Sequence, residues 1–334
     1  MLYLKVILHI LVIVGVIKGF EAYKFAVFVA LCLFRCIEAF AESIYAVIQK
    51  NKQLYKVGFS MFIKAIVGLA LFLVIDLITK NMLISCVSVV IVNIVFILLY
   101  DVKNIKQVKI TSSKFTKAAM INLFKIGFFT FALTFLGNYL INISRYAIDD
   151  ILTNDVQTIF GIILMPASMM GLLGQYIIQP SLTKISEYIK NEEYTNLKNI
   201  FIKLVGINFM LGIIVVICAY FLEVPVLGLV YGINLKPYFI GMMIIVIGSI
   251  LYSLSTILSA ILIAMRKTGM QTLMYFITAI ISTVMAYTLV KYIKIDGACI
   301  TYFVTMFIIA TAFLIYTIWN LKKYRKEWEI KEKK

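Results

Sequence analysis

Charge is scarce in this chain and acid scarcer still: 16 Asp and Glu stand against 32 Lys and Arg, and charged residues fill only 14% of 334 positions. An ordinary soluble domain, about a quarter charged, is thereby excluded. With 63% hydrophobic residues and a mean hydropathy of +1.00, the composition is that of a polytopic membrane protein. The single histidine, His9, is read as a helix-packing residue and not a ligand, and no H-E-x-x-H metal motif exists. The five cysteines, Cys32, Cys36, Cys86, Cys218 and Cys299, have neither the spacing of a zinc site nor that of a secreted disulfide framework. No metal or cofactor is therefore expected. The chain lacks a G-x-x-x-x-G-K-[ST] loop, which argues against an ATP-driven pump, and a G-x-S-x-G elbow. Asp149 and Asp150 are adjacent and not D-x-D spaced, and the polar connections are too short for a polymerase or glycosyltransferase domain. The chain is not expected to be an enzyme.

What is present is a series of long apolar runs. Ten have the length a bilayer demands, about 20 residues at 1.5 Å rise each: 2–20, 23–49, 57–78, 82–100, 119–145, 156–182, 199–222, 237–264, 269–292 and 298–321. The first, Leu2 to Ile17, lacks a small-residue cleavage site and leads directly into another span, so it is not read as a signal peptide. The expected architecture is all-α, with about ten transmembrane helices in two bundles around a central cavity. Its parts are an N-terminal bundle of four spans (1–101), a linker (102–118), a six-helix bundle (119–321) and a basic tail (322–334). A net charge of +16 would suggest nucleic acid in a soluble protein, but here the lysines cluster between the apolar runs. With both termini cytoplasmic, about 21 Lys and Arg fall inside and about seven outside, as the positive-inside rule requires. The expected location is the cytoplasmic membrane, with membrane lipids and no nucleic acid as partners.

Charges inside spans are expensive and usually functional. Arg35, Glu38 and Glu42 lie near the middle of the second run, within roughly 60° of one another at 100° per residue. That face must look into protein or water. Its structural alternative is a pair in which Arg35 neutralises Glu38 at i,i+3. Lys64 lies at a depth similar to that of Glu42 and is expected to pair with it across adjacent helices. In the fifth run Thr134, Asn138, Asn142, Arg145 and Asp149 recur at helical spacing, as a row lining a water-filled cavity would. Ser168, Gln175 and Gln179 form a similar stripe in the sixth run, interrupted by Pro166 and Pro180, and Ser249, Ser253 and Thr256 another in the eighth. Interhelical hydrogen bonding is the structural alternative for these. Arg35, Lys64 and Arg145 are thus candidates for a cationic path, with Asn138, Asn142, Gln175 and Gln179 as further substrate contacts. Glu38, Glu42 and Asp149 are the ion-coupling candidates.

The segment FRCIEAFAESIYAVIQKNKQLYKVGFSMFIKAI (34–66) carries an Arg…Glu-Ala…Tyr…Gln-Lys…Gly-Ser order. It is followed by NISRYAIDDIL (142–152), IFGIILMP (159–166), QYIIQPSLTKISE (175–187), VPVLGLVYG (224–232), ILIAMRKTG (261–269) and IDGACITYF (295–303). Together these resemble bacterial polysaccharide flippases of the Wzx type, within the multidrug/oligosaccharidyl-lipid/polysaccharide exporter superfamily. The resemblance implies two six-helix bundles around a central cavity and movement of a polyprenyl-pyrophosphate-linked oligosaccharide from the inner to the outer leaflet. It also implies a polysaccharide polymerase and glycosyltransferases as partners, and a pyrophosphate-meeting role for Arg35 and Arg145. The ten runs align with the third to twelfth spans of that family, so two further helices are expected upstream or from a partner. The alternatives are a cation-coupled small-molecule exporter of the same superfamily and a truncated, non-transporting component of a polysaccharide-assembly complex.

Overall fold

The computed structural model describes residues 21–50, 53–106 and 116–332. The expected span at 2–20, with His9, and most of the expected linker lie outside these residues. Among the described residues every regular element is helical. The chain divides into two compact units, 1–114 and 115–334.

The first unit contains α1 (Ala22–Lys50), α2 (Leu54–Thr79) and α3 (Met82–Phe96). Lys80 closes α2 in the left-handed conformation, φ 49°, and its N–H reaches the Asp76 carbonyl. The Asn81 side chain then opens α3 by accepting the Leu83 N–H at 3.0 Å. Two local signals thus make a tight reversal between antiparallel helices. Helix α3 continues through a π-turn, Ile97–Asp101, into the short α4, Val102–Lys106. Asp101, which lies just past the end of the expected run at 82–100, is therefore a buried helical residue of this unit. The wider π-turn adds a residue to the helical circuit and turns its carboxylate inward.

The second unit begins with α5 (Lys117–Ile151), α6 (Asn154–Ile163) and α7 (Met165–Ile178). The prolines interrupt the sixth run where expected: Pro166 sits in the first turn of α7, and Pro180 in a 3₁₀ turn, Gln179–Ser181, before α8 (Leu182–Lys190). Helix α9 (Tyr194–Tyr231) accommodates Pro225, and α10 (Phe239–Ala264) follows a 3₁₀ turn at Lys236–Tyr238. The last element, α11 (Thr268–Glu332), bends where Ile293 and Lys294 leave helical geometry, so its two arms carry the runs at 269–292 and 298–321.

Among the described residues seven stretches are long and apolar enough to cross a membrane, the last of them containing both arms of α11; α1, interrupted by its charges, is not among the seven. Leu69, Leu77, Phe131, Phe221, Leu229 and Ile240 point outward, as a lipid-facing surface requires. The chain is an all-α, multi-pass membrane protein.

Lipid is as apolar as leucine, so helix association in a membrane needs close approach and hydrogen bonds as well as burial. In the second unit Gly171 and Gly174 bring α7 against α10: a Cβ on Gly171 would lie 2.2 Å from the Tyr252 ring, and one on Gly174 2.6 Å from Ser253 Oγ. Helix α10 is the central stave, with Ile245, Ile257 and Ile261 packed among Ile143 and Ile148 of α5 and Tyr302, Met306 and Phe313 of α11. Ser253 Oγ donates to Asn208 Oδ1 at 2.6 Å, Asn208 Nδ2 to the Ile250 carbonyl at 3.3 Å, and Thr305 Oγ1 to Ser282 Oγ at 2.7 Å.

Candidate functional site

A cavity of about 410 Å³ opens within the first unit, and its polar wall is made of Arg35, Glu38, Glu42, Tyr45, Lys64 and Asn93. Helix α1 contributes the first four, because positions 35, 38, 42 and 45 recur at three- and four-residue steps on one face. Lys64 comes from α2 and Asn93 from α3. The remaining lining is apolar: Phe34, Met61, Leu69 and Val89, with the small Ala41, Ala65 and Gly68 between them. The three charges of α1 are thus gathered on a void, as their spacing requires.

Within this cavity the i,i+3 pair also forms: Arg35 Nη1 lies 2.7 Å from Glu38 Oε2. The Arg35 side chain is 81% exposed and that of Glu38 36%. The guanidinium is therefore held in place from one side and open on the other. Glu42, one turn further on, makes no ion pair or hydrogen bond among the described residues and is exposed.

Lys64 does not pair with Glu42. Its Nζ lies 3.3 Å from Asp101 Oδ2 and 4.7 Å from the centre of the Tyr45 ring. Tyr45 Oη also donates to Asp101 Oδ2 at 3.3 Å and shares a 2.8 Å hydrogen bond with Ser60 Oγ. Lys64 and Asp101 are 10% and 1% exposed, so their charges leave water together. The π-turn that buries Asp101 supplies Lys64 with a nearer counter-charge than Glu42. Asp101 Oδ1 stays buried without a hydrogen-bond partner. The outcome is a floor of fixed, neutralised charge beneath a wall on which Arg35 and Glu42 remain accessible.

The second unit splits the polar row of α5 between two hollows. Thr134 and Asn138 line one of about 290 Å³ with Gln175, Tyr252, Thr256 and Tyr275, all uncharged. Arg145 lines another of about 400 Å³ with Gln157 and Thr158, its Nε buried without a hydrogen-bond partner. Asn142, Asp149 and Gln179 line neither. Asn138 and Asn142 donate their amides to the carbonyls one turn earlier, at 3.0 and 2.9 Å. The acid that is engaged is Asp150, which accepts from Tyr287. In α10 Ser253 is wholly buried and ties α10 to α9, Ser249 bonds the Val246 carbonyl of its own helix, and Thr256 lines the neutral hollow beside Ser255 and Ser259.

Two buried acids were not among the sequence candidates. Asp101 is one. The other is Glu223 in α9, 6% exposed, with both carboxylate oxygens buried and lacking a hydrogen-bond partner. Its signal was available: an isolated acid two residues before Pro225 in an otherwise apolar stretch. Among the described residues no cluster of three or more His, Cys, Asp or Glu is arranged to hold a metal ion.

No protein-family model matches the chain, and no curated protein matches it in sequence. Solved structures do. A multidrug resistance MATE family transporter of the MOP superfamily, in an outward-facing conformation, matches with a TM-score of 0.70 at 12% identity, over 97% of this chain and 76% of its own. A MATE structure in a bent conformation matches with a TM-score of 0.71 at 12% identity, over 96% of this chain and 75% of its own. The chain has the fold of these transporters.

Proposed function

We propose that this protein is a membrane transporter that carries a polyprenyl-pyrophosphate-linked oligosaccharide across the cytoplasmic membrane for cell-surface polysaccharide synthesis, with both termini cytoplasmic. The observation that carries this reading is the charged cavity of the first unit. It places an accessible guanidinium near the middle of α1, a helix read as a span from its apolar run at 23–49, where an unused charge would cost at least about 2.5 kcal/mol. The shared fold with MATE transporters supports transport, and the ordered motifs from Phe34 to Phe303 support the lipid-linked sugar.

The chemistry follows from the pair. Arg35 binds Glu38 through one edge, and a pyrophosphate offers the same planar fork a second, more highly charged partner. An entering pyrophosphate draws Arg35 away from Glu38. Glu38 then stands with Glu42, one turn apart, as two carboxylates without a counter-charge, and this pair offers a place for a coupling cation. Substrate binding and cation binding are coupled through one arginine. Lys64, neutralised by Asp101, stays in place as part of the cavity floor. Arg145, with Asn138, Asn142, Gln175 and Gln179, serves a later part of the path in the second unit. A polysaccharide polymerase and glycosyltransferases act before and after the translocation step.

A second reading, a cation-coupled exporter of small molecules, is favoured by the first structural neighbour, which is a multidrug resistance transporter. The two separate in proteoliposomes. The lipid-linked reading predicts movement of a labelled polyprenyl-pyrophosphate sugar by the wild type and loss of that movement in Arg35→Ala. Efflux of cationic dyes with no movement of the lipid-linked sugar would establish the second reading instead.

A further inference from the structure

A third cavity of the second unit is distinct from both polar hollows. It has a volume of about 840 Å³ and lies between the first turns of α9 and the final turns of α11. Five cations line it, Lys198, Lys322, Lys323, Arg325 and Lys326, beside an apolar wall that includes Phe201, Ile202, Ile318 and Trp319. The two sets are separated along the helix. The second arm of α11, 295–332, is roughly 57 Å long at 1.5 Å per residue, against about 30 Å for a hydrocarbon core, so its last turns project beyond the core. Trp319, more than half exposed, sits at the end of the apolar stretch, and Lys322, Lys323, Arg325 and Lys326 follow within two turns. An amphipathic ring at that depth marks the headgroup level. Among the described side chains Glu327 pairs loosely with Lys323 at 3.7 Å, both about half exposed, and no Asp or Glu is among the residues lining the hollow. Aromatic faces brace the cations: Lys323 lies 5.9 Å from the Trp319 ring centre, and Arg325 6.0 Å from that of Tyr194.

We infer that this hollow is a binding site for an anionic phospholipid of the adjoining leaflet. Its phosphate lies among Lys322, Arg325, Lys326 and Lys198, and an acyl chain runs along Ile202, Ile318 and Trp319. A soluble anion would use the cations but not the apolar wall, and a neutral lipid the wall but not the cations. Only a molecule with both parts uses the whole surface. The site clamps the start of α9 to the end of α11, so lipid occupancy ties together two elements of the second unit independently of which substrate is transported.

The test is native mass spectrometry of the full chain in detergent, titrated with phosphatidylglycerol, phosphatidylcholine or inorganic pyrophosphate. Phosphatidylglycerol should be retained at least about tenfold more strongly than phosphatidylcholine, and Lys322→Gln/Arg325→Gln/Lys326→Gln should remove that preference. A control of equal charge loss, Lys184→Gln/Lys190→Gln/Lys267→Gln, should keep it, and so should the charge-preserving Lys322→Arg/Lys326→Arg. Equal loss in the two triple variants would reduce the effect to net charge and overturn the assignment. So would equal retention of the two lipids, or displacement of phosphatidylglycerol by pyrophosphate at matched concentration.

Discussion

The cavity of the first unit and the hollow of the second lined by Asn138 are both built on a polar row of one helix, α1 in one case and α5 in the other, yet they differ in charge and in support. The first gathers Arg35, Glu38, Glu42 and Lys64; the second offers only neutral groups, Thr134, Asn138, Gln175 and Thr256. Their surroundings differ in the opposite sense. In α10, which backs the neutral hollow, 61% of the apolar window is buried, whereas in α2, beside the charged cavity, 6% is. Polarity in the second unit is therefore largely spent on holding helices together, as Ser253 with Asn208 and Thr305 with Ser282 show. In the first unit it is concentrated on an accessible cavity wall, above one buried ion pair.

The largest effect should come from Arg35. Arg35→Ala is expected to lower transport at least about 100-fold while the protein still inserts, because it removes the accessible member of a charge-assisted pair. Asn138→Ala and Gln175→Ala in the neutral hollow should lower it less than about threefold, as loss of single neutral hydrogen bonds does. Transport rates per inserted molecule in proteoliposomes decide this, and comparable losses in both cavities would break the contrast.

Next in size is the floor of the charged cavity. Asp101→Ala leaves Lys64 buried beside Tyr45 without its carboxylate, and unfolding in mixed micelles should register a loss of about 3 kcal/mol. Lys64→Met/Asp101→Leu, which removes both charges, should recover most of that stability. If the double variant were as unstable as Asp101→Ala, the pair would not act as a neutralised unit.

Packing effects should be smaller and confined to the second unit. Gly174→Ala places a methyl group 2.6 Å from Ser253 Oγ and 2.9 Å from the Ser253 carbonyl, which should cost about 1–3 kcal/mol by forcing α7 from α10. Gly161→Ala meets nothing within 4 Å and should be nearly neutral. Smallest of all, a double-mutant cycle of Ser253→Ala and Asn208→Ala should return a coupling of about 0.6 kcal/mol, the usual worth of a hydrogen bond between membrane helices.

Much of this was legible in the residues because helical periodicity survives without tertiary context. The spacing of Arg35, Glu38 and Glu42 by itself brought them to one face, and the prolines at 166 and 180 marked the breaks in the sixth run. The expected runs at 23–49, 57–78 and 82–100 fall within a few residues of α1, α2 and α3 with its π-turn, whereas α5 continues six residues past the expected end at 145. Asp101 was not legible, because hydropathy ends the run at Tyr100, and no local pattern announces a π-turn that carries the next residue inside. The partner of Lys64 was misread for the same reason: equal depth on neighbouring helices is necessary for pairing, but Asp101, once inside, is nearer. The row on α5 was legible as a face but not as two hollows. Which turns of that face meet Tyr252 and Tyr275, and which meet Gln157, depends on long-range packing.

The central claim, that the charged cavity of the first unit receives the substrate pyrophosphate, is tested most directly by one side-by-side measurement. Wild type, Arg35→Ala and Asn138→Ala are reconstituted at equal density, and the inward-to-outward movement of a labelled polyprenyl-pyrophosphate oligosaccharide is followed. The account predicts movement by wild type and Asn138→Ala and none by Arg35→Ala. Movement by Arg35→Ala at the wild-type rate would contradict it.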